Sequence, residues 1–81
     1  MTTTIKIVSH GMYALRDTDV DGVRRCVAYV RRRAADRRLE LIMLDGDGRR
    51  LGDPDEPADE AEALRWLTAR TGATLDPQED Q

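Results

Sequence analysis

The chain has 81 residues, a formal net charge of −3 and 36% charged side chains, which bounds it to one small domain. A single cysteine excludes an internal disulfide, and one cysteine with one histidine cannot build a structural zinc site. With no Phe and one Trp the core is thin for this length, so self-association is a natural route to stability.

The first element in chain order is TTIKIVS, Thr3–Ser9, rich in β-branched residues and read as a strand. His10–Gly11 is a turn signal, and MYALR (Met12–Arg16) then reads as a short strand hairpinned to the first. The apolar patch in residues 1–9 is too short for a signal peptide or a membrane span. Together with the lone cysteine it leads to the expectation of a soluble, cytoplasmic protein with no membrane role.

RDTDVDGVRRCV (Arg16–Val27) contains D-x-D-x-D-G, the opening of a calcium-binding loop. With Asp17 at position 1, however, position 12 is Ala28, where a bidentate Glu is needed. Arg24 and Arg25 would also set two cations beside the metal. A second partial match from Asp45 places Arg49 and Arg50 where an oxygen ligand and Gly belong. No metal and no cofactor is therefore expected.

The alternative reading of Arg16–Val27 is a helix start, with Thr18 or Asp19 as N-cap and Asp21 in the first turn. Val23, Cys26, Val27, Val30 and Ala34 follow at three- to four-residue spacing, which predicts a helix over about 20–37. On such a helix Arg24, Arg31 and Arg38 line one flank, with Arg25 and Arg32 on the back. That stripe suits a charged partner, either an acidic protein surface or a phosphate backbone. The acidic net charge and the lack of any nucleic-acid-binding signature make nucleic acid the second reading.

LELIMLD (Leu39–Asp45) is a strand with apolar residues on both faces, so a central position is expected. DGDG (Asp45–Gly48) is a turn, and Arg49–Leu51 a short return strand. Gly52–Gly72 holds a second helix with its punctuation: acids and prolines at the start, Arg65 and Arg70 toward the end, and Gly72 as C-terminal cap. Its face of Leu64 and Leu67 is the apolar one, while the spacing leaves Trp66 open between core and interface. Residues 76–81 read as a polar disordered tail beyond a single domain over 1–75.

The expected fold is α/β of the α+β type: a small β(β)αββα sandwich with a three- or four-stranded sheet and two helices on one face. The opposite face would expose Val8, Ile42 and Leu44, an apolar patch suited to a partner. Ser9 and His10 are adjacent and would point to opposite faces of a strand, and Cys26 lies among apolar neighbours, so no catalytic residue is assigned. A non-catalytic regulatory or adaptor module is expected, working through protein–protein contacts and forming a homodimer. Val8, Ile42, Leu44 and Trp66 are its candidate interface, and Arg24, Arg25, Arg31, Arg32 and Arg38 its candidate charged surface.

Overall fold

The structure is a computed structural model that describes residues 2–8, 11–18 and 22–75. Four strands run as an antiparallel meander: β1 (Thr3–Val8), β2 (Gly11–Asp17), β3 (Arg24–Arg32) and β4 (Leu39–Met43). Helix α1 (Glu60–Thr71) then crosses one face, and β5 (Thr74–Leu75) adds in parallel to the outer edge of β1. The sheet is five-stranded, in the order β4-β3-β2-β1-β5. The coarse α/β class is as expected, but among the described residues there is one helix instead of two and five strands instead of three or four.

The main correction is at residues 20–37. Instead of a helix, Arg24–Arg32 is the longest strand, paired with β2 on one side and β4 on the other. Its register slips by one where Ala14 faces Ala28 but Leu15 faces Cys26, which leaves Val27 as the extra residue of a β-bulge. The bulge breaks the period-2 alternation, so Cys26, Val27 and Val30 fall at a spacing that imitates a helical face. Tertiary pairing and the β-branched and aromatic content of CVAYV override that pattern. Asp17 ends β2, while Asp19 and Asp21 lie outside the described residues, so the helix-cap reading loses its helix. What joins β2 to β3 is closed by Thr18, whose backbone N–H and hydroxyl both donate to the Val23 carbonyl, at 3.0 and 2.7 Å.

Strand β4 was expected at the centre of the sheet and stands instead at the end of the strand order. It is nonetheless buried, because the chain folds back along its outer side. Leu44 bridges Arg50, and Leu41 exchanges backbone hydrogen bonds with Asp55 at 2.8 and 3.0 Å. Pro54 and Pro57 lack an N–H and disfavour a helical neighbour, which keeps this segment extended. The helix therefore starts only at Glu60. Asp59 caps it by accepting from the Glu62 N–H at 2.8 Å, and Glu62 reaches back to the Ala58 N–H at 2.7 Å. Gly72 ends it as expected, with a left-handed φ of 69°.

Ile5, Met12, Ala14, Ala28, Val30, Leu39 and Leu41 form the covered face of the sheet, packed with Ala63, Leu67 and Ala73. Ile5, Leu41 and Leu67 are almost wholly buried, each contributing about 1.5–3 kcal/mol relative to exposure. Gly11, paired with Val8 beside the β1–β2 connection, is required by close approach: a Cβ there would stand 2.4 Å from the Val30 carbonyl oxygen. That oxygen belongs to the backbone of β3 and has no freedom to swing aside. Gly11→Ala is expected to cost about 1–3 kcal/mol, measured as a lower urea midpoint with unchanged slope.

Candidate functional site

The alternation of side chains along each strand gives the sheet a second face, away from α1. Lys6, Tyr13, Tyr29 and Ile42 are in register across it, one on each strand of the meander. Tyr13 and Tyr29 stack with ring centroids 6.3 Å apart and an interplanar angle of 26°. Tyr13 is 37% exposed, so the pair presents a ring surface to solvent. A neighbouring row carries Arg31 on β3 and Glu40 on β4, also in register.

Glu40 is the one buried charged side chain among the described residues, 6% exposed. Its Oε1 accepts from Arg31 Nε at 2.9 Å and its Oε2 from Arg33 at 3.4 Å. Both carboxylate oxygens are thus served, as a buried charge requires. Arg33 extends the network to Asp36, with bonds of 3.1 and 2.6 Å, and to Glu56 at 3.3 Å. Glu56 in turn pairs with Arg38 at 3.2 Å. The Arg33 hydrogen bonds, then the Arg38 backbone N–H at 3.1 Å, hold the Asp36 carboxyl below the usual carboxylate range.

The expected interface residues do not gather on one surface. Val8 is 45% exposed and lines an apolar groove of about 600 Å³ with Ile7, Met12, Leu39 and Leu64. Ile42, expected in an exposed patch, is only 2% exposed. It lies between Tyr29 on β3 and the segment that returns along β4. Leu44 sits beyond the end of β4 and lines a different cavity, on the helix side. Trp66 packs half-buried against the core, with the Arg70 guanidinium 5.4 Å from its ring centroid.

The arginine stripe also dissolves, because a strand alternates faces where a helix would align every seventh residue. Arg24 pairs with Asp17 at 2.8 Å, and Arg31 with Glu40. Arg25 donates to the Gly46 carbonyl on the helix side. Arg32 donates to the Arg37 carbonyl at 2.7 Å and lies 3.8 Å from Glu60. Arg38 meets Glu56 and Asp36.

Sequence reading missed the tyrosine pair, because Tyr13 and Tyr29 become neighbours only once residues 24–32 are known to be a strand. It also missed Glu40, whose signal was available: a single carboxylate inside LELIM. Partial burial pushes the Cys26 thiol up, and its Sγ lies 3.3 Å from the Ala28 carbonyl. No group of three or more His, Cys, Asp or Glu among the described residues could hold a metal ion. No described helix is long and apolar enough to cross a membrane. No protein-family model, curated protein or solved structure matches the chain.

Two outcomes follow from the network. Glu40→Gln keeps the shape but removes the charge that Arg31 and Arg33 bind, and is expected to cost about 1–3 kcal/mol in chemical denaturation. Asp36 has a folded pKa below its unfolded one, so its contribution is complete above about pH 4 and is lost as pH falls through the folded value. Asp36→Asn should flatten that acid limb in urea midpoints measured from neutral pH downward. An unchanged limb would assign it to other carboxylates.

Proposed function

We propose that this chain is a non-catalytic interaction module that pairs with a second copy of itself through the sheet face away from α1. The observation that carries the reading is the Tyr13–Tyr29 stack on that face, in register with Lys6. Aromatic and arginine side chains are the groups that anchor protein interfaces, at little conformational cost for the rings. Arg31 stands in the next row, its side chain half exposed and paired with the Glu40 carboxylate.

Edge-to-edge association is less favoured than face-to-face. One edge strand, β5, is only two residues long, and the other, β4, is paired along its outer side by the returning segment. A small domain that covers one face of its sheet also gains most from burying the second. The face carries Lys6, the Arg31–Glu40 pair and the Arg24–Asp17 pair beside the two rings, both signs of charge, as a self-complementary two-fold contact requires. A free cysteine suits a reducing compartment such as the cytoplasm.

The same rings could stack on the bases of single-stranded nucleic acid, with Lys6 beside them. Two facts weigh against that reading: the arginines named for it are engaged by acids or carbonyls, and the chain is net acidic. Sedimentation equilibrium should give twice the chain mass for the wild type and the single chain mass for Tyr13→Arg. A wild type that stays monomeric at every concentration sinks the proposal. Binding of a single-stranded oligonucleotide that weakens steeply with salt would install the second reading.

A further inference from the structure

We propose that a second site, on the helix side of the sheet, binds a small phosphorylated organic molecule. The cavity holds about 330 Å³ and lies between the far end of β2–β3 and the last turn of α1. Three arginines from three elements line it: Arg16 on β2, Arg25 on β3 and Arg70 on α1.

Arg16 and Arg25 are direct cross-strand partners. Like charges placed opposite each other on a sheet destabilise it, so an anion between or beside the two heads would relieve this pair. Asp45 lines the cavity, but its Oδ1 is already bound by the Asp47 and Arg49 N–H groups at 2.8 and 2.9 Å. Asp55 pairs with Arg70. Even with both acids counted, three guanidiniums leave one positive charge in excess.

The guanidiniums are positioned without being used up. Arg25 is held by the Gly46 carbonyl and Arg16 by the Thr3 hydroxyl, the latter at 3.3 Å. Arg70 is held by Asp55 and lies over Trp66. Each of these bonds occupies one nitrogen of a head that carries five N–H donors in a fork matched to phosphate oxygens. Val27, Met43 and Leu44 supply an apolar wall for a carbon body. The volume lies at the small end of the range for ligand sites, about 300–1,000 Å³, which suits a phosphomonoester better than a dinucleotide.

Calorimetric titration at constant ionic strength tests this with phenyl phosphate, inorganic phosphate and phenol. Phenyl phosphate should bind, inorganic phosphate more weakly, and phenol not at all. Arg16→Gln and Arg25→Gln should each weaken phenyl phosphate by about tenfold or more, while Arg31→Gln on the other face leaves it unchanged. Ligand-free Arg16→Gln should melt no lower than the wild type, because it relieves the repulsion. Absence of phenyl phosphate binding, wild-type affinity in either cavity variant, or a lower ligand-free melting temperature for Arg16→Gln would each overturn the proposal.

Discussion

A single helix has to cover a five-stranded sheet. Twelve residues of α-helix span about 18 Å, and four inter-strand gaps span about 19 Å. The helix is therefore just long enough to travel from the β4 side to the β5 side, and it serves as both connection and cover. Its burial rests on Ala63 and Leu67, facing a sheet whose central strands offer Ala14 and Ala28 in register. Small residues on both sides leave room for the helix backbone, while Ile5, Leu41 and Leu67 are among the largest fully buried side chains. The second face is buried at Ile42 and Glu40 on β4, and toward the other strands it is finished with tyrosine rings and a lysine, groups that tolerate water yet favour contact.

The β3–β4 end is secured differently. A buried carboxylate is costly unless both oxygens are bound, and here two arginines from the neighbouring strand and its turn bind them. Arg33 then links the turn, through Asp36, to the returning segment, through Glu56. The ion pairs further out are exposed and individually weak. Their value is geometric: they tie the returning segment to the β3–β4 turn, and that segment closes the outer edge of β4. Ile42 is buried at the same end of the sheet, which removes it from the free face.

Strands β1, β2 and β4 and the C-terminal end of α1 were legible because each rests on local signals: β-branched runs, a glycine at each end of the construction, a basic last turn. Strand β3 was not, since its bulge replaced a period of two with a spacing that read as helical. Losing β3 meant losing every cross-strand relation it makes, including Tyr13 with Tyr29, Arg31 with Glu40 and Arg16 with Arg25. The late helix start was hidden for another reason. Asp53–Ala58 carries good helix-start residues, but its backbone bonds are taken by β4 at Asp55. Two-residue β5 has no sequence signature at all and exists because β1 offers it an edge.

The bulge is also what gives the two faces their separate character. Counting back from Tyr29 by strict alternation would place Arg25 outward, on the tyrosine face. The extra residue at Val27 resets the phase, so that Arg25 turns to the helix side and meets Arg16. One inserted residue thus exchanges Arg25 for Arg24 on the surface proposed for self-pairing, where Arg24 is neutralised by Asp17, and delivers Arg25 to the cavity proposed for a phosphate. It does so on the strand pair, β2–β3, that both sites share. A bulge costs ladder hydrogen bonds, and an Arg–Arg register pair adds repulsion to that cost. A fold with so thin a core would gain stability by losing both, so their joint presence argues for an anion that binds where they meet.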